Sequence, residues 1–190
     1  NMLGKVHKPI TLDNKPISLH NNKPDGKYFW EHENEPSIWV SILIPSYNTK
    51  KEYLVSCIES IKNQTGTFGL EIVWINDCSN DVNSNILVNL LDTIIKPLKN
   101  CKLIYERIEK NSGISFCLHY GVKLCSNEII LRMDSDDIMM PNLIKKTIES
   151  LKSFDLIKYR MTNFSIVNNE IKEKKTTAWG EGVFGDRKSV

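Results

Sequence analysis

The sequence predicts an α/β protein, a mostly parallel sheet with helices on both faces. Short, nearly continuous apolar runs alternate four times with longer stretches whose apolar residues fall at helical spacing. That order implies right-handed βαβ crossovers, and runs apolar almost throughout suit strands buried on both faces. The chain has 190 residues, 41% hydrophobic and 25% charged. That is enough for one domain with a proper core and too little for two full ones.

Residues 1–38 are rich in Pro, Lys, Asn and His and have little periodicity. They read as an irregular N-terminal arm, with Trp30 and Trp39 pinning it to the body. The domain proper runs over 39–190. "WVSILIP" (39–45) is the first strand. In "KKEYLVSCIESIKNQ" (50–64), Leu54, Ile58 and Ile61 share a helical face with Cys57. "LEIVWI" (70–75) is the second strand, and "NSNILVNLLDTIIK" (83–96) lines Ile86, Leu87, Leu90, Leu91 and Ile94 along a second helix. "KLIYERI" (102–108) and "ISFCLHYGVKLC" (114–125) are the third strand and helix. "EIILRM" (128–133) and "PNLIKKTIESLKSF" (141–154) are the fourth, with Pro141 suited to a first helical turn. After Phe154 the rhythm changes. "LIKYRMTNFSIV" and "EIKEKKTT" flank Asn168-Asn169, a hairpin turn expected to add a small antiparallel part at the sheet edge.

The formal net charge of +2 leaves no broad footprint for nucleic acid or a membrane surface. No apolar run reaches membrane-spanning length, and the start lacks an apolar leader segment. The five cysteines are odd in number and contain no C-x-x-C. Neither a disulfide framework nor a zinc site is expected, and a reducing, cytoplasmic setting fits.

In parallel α/β sheets, ligands bind beyond the carboxyl ends of the strands. Here those ends read "PSYN" (45–48), "NDCSND" (76–81), "EKNSG" (109–113) and "DSDD" (134–137). Each strand delivers polar, turn-forming residues to one rim, and two tips are acidic. The carboxylates Asp134, Asp136 and Asp137 either punctuate a turn and cap the following helix, or hold a cation. A cap needs one carboxylate, and three crowded together repel unless something compensates them. Hard oxygen ligands would suit Mg²⁺ or Mn²⁺.

The segments "VSILIPSYN", "IVWINDCSND", "EKNSGIS" and "LRMDSDD", over roughly 39–152, resemble the family-2 glycosyltransferases of the GT-A fold in order and spacing. The resemblance implies a Rossmann-like sheet and transfer of a sugar from a nucleotide diphosphate sugar, usually UDP-linked, to a glycan or protein acceptor. It implies that Pro45, Ser46, Tyr47 and Asn48 wall the uracil pocket and that Asp77 accepts a hydrogen bond from the base. Asn111 and Gly113 match an N-x-G that meets the nucleotide with its backbone. Asp134, Ser135 and Asp136 match D-x-D: Asp136 touches the metal, Asp134 faces ribose or sugar, and Asp137 orients its neighbours. Asp81 reads instead as a helix cap. The family's A-R-N is replaced by Cys117, Leu118 and His119. Cys117 fills a small apolar slot there, and His119 reads as half-buried.

Inverting transfer needs a general base, usually Asp or Glu. In the family it lies well downstream of D-x-D, in an acceptor part that this chain is expected to lack. Glu181 and Asp186, in the glycine-rich "WGEGVFGDRKSV", are the nearby candidates, and both read more simply as loop charges. Two functions therefore stand: a metal-dependent UDP-sugar transferase, and a nucleotide-sugar-binding module without catalysis of its own.

Overall fold

The apolar runs form four parallel strands: β1 (Trp39–Ser46), β2 (Gly69–Asn76), β3 (Cys101–Arg107) and β4 (Ile129–Arg132). The computed structural model describes residues 36–159, 161, 163–167, 170–174 and 184–187. The arm over 1–35, Trp30 and Glu181 lie outside these. Trp39 opens β1, and the Lys102 ammonium sits 4.7 Å from its ring centroid.

Helices α1 (Lys51–Lys62), α2 (Asp81–Leu90), α3 (Ile114–Leu124) and α4 (Leu143–Ser150) complete the alternation. α1, α2 and α4 cover one face, where Leu54, Ile58, Ile61, Leu87 and Ile144 pack on Ile42, Ile44, Ile72, Trp74 and Leu131. α3 covers the other, where Cys117 joins Leu43, Val73, Ile75 and Ile130. The two sets of strand residues alternate, as the two-residue period of a strand requires. Each fully buried Leu or Ile of this kind contributes roughly 1.5–3 kcal/mol. α3 lies so close to β1 that a Cβ on Gly121 would stand 2.2 Å from Leu43 Cδ1.

The long apolar stretch after Asp81 is not one α-helix. α2 passes into a π-helical turn, Leu91–Ile95, closed by Lys96 N–H donating to Leu91 O at 3.0 Å. The wider turn keeps both Leu91 and Ile95 buried. Asp81 is not the cap of α2. Asn80 is, its side chain accepting from Asn83 N–H at 2.9 Å, while Asp81 is the first helical residue and pairs with Arg107 at 3.1 Å. Likewise α4 begins two residues after Pro141, with Asn142 at its cap position.

The sheet order is β3-β2-β1-β4-β8-β5. The last two are β5 (Leu156–Lys158) and β8 (Phe184–Arg187), with β8 antiparallel to both β4 and β5. The expected edge addition therefore comes from these short strands. The hairpin is a separate two-stranded sheet of β6 (Asn163–Val167) and β7 (Glu170–Lys174), paired up to Val167 and Glu170. Its turn, Asn168-Asn169, lies outside the described residues. The glycine-rich tail, expected as loop, contributes β8. Among the described residues, no helix is long and apolar enough to cross a membrane.

At the amino ends of the strands, the buried Glu71 carboxylate accepts from Ser41 Oγ (2.7 Å), Ser126 N–H (2.7 Å) and Ser126 Oγ. A buried carboxylate satisfied this fully anchors the α3–β4 connection to β2. It is far from the rim where the strands end.

Candidate functional site

Connections β1→β2 and β2→β3 run outward in one direction, and β3→β4 returns to the other side of β1. The crevice between the carboxyl ends of β1 and β4 is therefore the switch point where open α/β sheets bind ligands. An open cleft of ≈ 270 Å³ lies there. It is lined by Pro45, Ser46, Tyr47 and Thr49 after β1, Asp77 after β2, Ile114 and Cys117 of α3, and Asp134, Ser135 and Asp136 after β4.

Asp77 is nearly inaccessible, at 4% exposure. Its Oδ1 accepts from Ser112 N–H and its Oδ2 from Gly113 N–H, both at 2.8 Å. Gly113 has φ 83°, and nothing lies within 4 Å of where a Cβ would sit. The glycine is there for its backbone conformation, and that conformation lets two successive N–H groups meet one carboxylate. Asn111 adds a side-chain N–H to Asp77 O at 3.4 Å. Three predicted residues thus come together as one clamp, which fixes the loop leading into α3. Cys117 is buried beneath it, and burial followed by the Asp77 charge pushes its thiol up to about 12. It is an inert thiol.

On the β1 side, Ser46 Oγ accepts from the buried Trp74 Nε1 at 2.8 Å, and Tyr47 stands 54% exposed at the mouth. Asn48 does not line the cleft. Its φ is 49°, and its Oδ1 accepts from Asn80 N–H at 2.9 Å, so it braces the β2–α2 loop. His119 is exposed rather than half-buried.

At the acidic tip, Asp137 N–H donates to Asp134 O at 3.1 Å, closing a tight turn. None of the three carboxylates caps α4. Ser135 is buried, and its hydroxyl is 2.7 Å from Thr49 Oγ1, which ties the tip to the β1 loop. Arg132 Nη2 donates to both carboxylate oxygens of Asp134 at 3.0 Å. Asp136 is exposed and has no hydrogen-bond or ion-pair partner among the described residues. Asp137 is partly buried. Desolvation, then the charges of Asp134 and Asp136, raise its carboxyl from 3.8 to about 6. Burial, then the charges of Asp137, Asp136 and Asp134, push the buried Cys57 thiol up as well. Thr49, Ser112, Ile114 and Arg132 are site residues that sequence reasoning missed.

Glu181 lies outside the described residues. Asp186 is in β8 opposite Ile130, in the first half of β4. At about 3.3 Å per residue its backbone is on the order of 13 Å along the strand from Asp134, away from the rim.

Among the described residues, no group of three or more His, Cys, Asp or Glu side chains is arranged to hold a metal by itself. The oxygens at the tip nevertheless suit a hard divalent cation that completes its shell with ligand oxygens and water. The crowding at Asp137 is what such a cation would relieve.

A four-stranded parallel core with an acidic tip and an adjoining carboxylate–loop clamp at its switch point defines an α/β protein with a candidate ligand cleft at that rim. The model of "Glycosyl transferase family 2" matches residues 41–188, and the chain belongs to that family. It is 34% identical over 118 residues to the amylovoran biosynthesis glycosyltransferase AmsE of Erwinia amylovora, covering 60% of this chain and 40% of that protein. It is 34% identical over 113 residues to a chondroitin synthase of Escherichia coli, covering 60% of this chain and 15% of that one. The chain therefore spans less than half the length of these curated relatives. Among solved structures it is similar to S. aureus TarS 1–349 in complex with UDP, with TM-score 0.53, 22% identity, and 70% and 37% of the two chains covered. It is also similar to the mannosyltransferase PcManGT from Pyrobaculum calidifontis in complex with GDP-Man and Mn²⁺, with TM-score 0.52, 16% identity, and 68% and 37% covered. At these identities the structures establish the shared GT-A fold.

Proposed function

We propose that this chain is the donor domain of a glycosyltransferase that takes a UDP-sugar with a divalent cation, Mn²⁺ or Mg²⁺, and passes the sugar with inversion to an acceptor hydroxyl of a glycan or protein. One observation carries this reading: Asp77, clamped by the Ser112 and Gly113 N–H groups, and the open carboxylate of Asp136 line the same switch-point cleft. The UDP in TarS and the GDP-Man in PcManGT support the nucleotide diphosphate class.

Tyr47 and Pro45 offer apolar surface to a base, and Asp77, with acceptor capacity left on its two oxygens, suits a base presenting an N–H. The ordered 111–113 backbone meets the nucleotide without a side chain in the way. Asp136 would hold the cation, with Asp134 turned toward ribose or sugar hydroxyls. The cation, when bound, neutralises charge on the leaving diphosphate. In the transfer, the acceptor oxygen bonds to the anomeric carbon as the bond from that carbon to the phosphate oxygen breaks. The hydroxyl proton passes to a base.

A second reading, a nucleotide-sugar-binding module, is favoured by one observation. Among the described residues, the carboxylates lining the cleft are Asp77, Asp134 and Asp136. The first two already have partners, the third is assigned to the cation, and none remains to take the acceptor's proton.

Calorimetric titration with UDP, with and without Mn²⁺, tests the site. Asp136→Ala is expected to abolish the Mn²⁺-dependent part of UDP affinity, and Asp77→Ala to weaken UDP in both conditions. UDP binding like the parent's in both variants refutes the assignment. Release of free sugar from UDP-sugars separates the transferase from the binding module.

A further inference from the structure

The tip carries three carboxylates within four residues, and the cleft adds Asp77. Among the described residues, the one cationic side chain hydrogen-bonded to any of them is Arg132. Its placement follows from strand geometry. Arg132 is the last residue of β4, and Asp134 follows two residues on, within reach of the guanidinium. The Arg132 backbone is held by its pairing with Leu43, and Met133 N–H donates to Leu43 O at 3.1 Å. The guanidinium is three-quarters covered, with its side chain 26% exposed, so its charge is only partly screened. On the other side of Asp134, Ser135 is tied to Thr49. Asp134 is thus fixed between two anchors with both oxygens engaged, whereas Asp136 has no such partner.

We propose that Arg132 is a positioning residue of the donor site, which reserves Asp134 for the nucleotide sugar by keeping its carboxylate out of the cation's shell and its charge compensated. The inference rests on the donor-site reading above. It has a signature that simple support of the fold lacks. Without Arg132, Asp134 is a second free carboxylate beside Asp136. A bare cation then gains a ligand and loses a repelling charge, while a metal-free diphosphate meets one more uncompensated negative charge. The two affinities move in opposite directions.

The test uses the full chain and two probes: Mn²⁺ alone, followed by electron paramagnetic resonance, and UDP alone, followed by calorimetry. Arg132→Met is expected to bind Mn²⁺ about tenfold more tightly and UDP without metal about tenfold more weakly, the size of change expected for one partly screened charge. Arg132→Lys keeps the charge and is expected to return both affinities to within about threefold of the parent. Adding Asp134→Asn to Arg132→Met is expected to erase the gain in Mn²⁺ affinity, because the extra ligand is gone. Parallel weakening of both probes in Arg132→Met, or no change in either, overturns the proposal. If Arg132→Met does not fold, an Arg132→Lys protein with UDP and Mn²⁺ affinities both far below the parent's overturns it as well. A parent chain that binds neither probe sinks the donor-site reading itself, an outcome distinct from a parent that binds both while the variants fail to diverge.

Discussion

Replacing Asp77 tests the clamp most directly. Its carboxylate accepts two backbone N–H groups at 2.8 Å from the loop between β3 and α3. Hydrogen bonds to a charged group contribute about 1.5–3 kcal/mol each. Ser112 is exposed and Gly113 partly so. Water therefore recovers part of each bond when the carboxylate is removed, leaving a net loss of about 2 kcal/mol for Asp77→Ala. Asp77→Asn retains one accepting oxygen and turns an amide N–H₂ toward the other donor, so about 1 kcal/mol is expected. The loss is local as well as global. Amide exchange at Ser112 and Gly113 is expected to accelerate by about thirtyfold in the alanine variant, because 1.4 kcal/mol is a factor of ten. UDP, which must then order the loop itself, is expected to bind at least about tenfold more weakly. Urea unfolding, residue-resolved exchange and calorimetry read the three effects. Wild-type protection at both amides in Asp77→Ala would show that the loop is held by something else, and the clamp would have no part in forming the site.

Two further outcomes follow from packing and charge. Gly121→Ala places a methyl against Leu43 in the α3–β1 contact and is expected to cost about 1–3 kcal/mol in urea unfolding, with no such loss for Ser115→Ala at the exposed start of the same helix. The Asp137 carboxyl titrates near 6 in the folded chain against 3.8 ordinarily, so its neutral form is the one the fold prefers. Its stabilising contribution is complete below 3.8 and lost as pH rises through about 6. The melting temperature of the cation-free protein relative to Asp137→Asn is therefore expected to fall between pH 4 and 7. A pH-independent difference between the two proteins contradicts the crowding at the tip.

The parallel core was legible because the runs at 40–44 and 70–75 are buried on both faces, which leaves a nearly continuous apolar mark, while the edge run at 101–105 buries alternate residues. The rim followed from strand direction alone. What escaped was decided by contacts between distant residues or by choices between equals. Asn80 and Asp81 are both good caps, and only the backbone geometry selects Asn80. Thr49 meets Ser135 across 86 residues, with no local pattern to announce it. Arg132 did carry a signal, because a cation two positions before an aspartate at a strand end is near enough to pair with it. The tail "FGDR" has too few residues for a period, and its pairing comes from β4 and β5 rather than from itself.

The late position of β8 has a consequence for how the protein is made. In the sheet, β5 bonds to β8 and to no other strand among those described, so a segment ending at Lys158 waits for one ending at Arg187. On the ribosome, the parallel core can close once β4 has emerged, but its flank stays open until about fifty-five more residues have followed, several seconds at ordinary elongation rates. A cut just before Phe184 removes β8, leaves β5 without its partner strand, and makes β4, with its acidic tip, the unprotected border of the sheet.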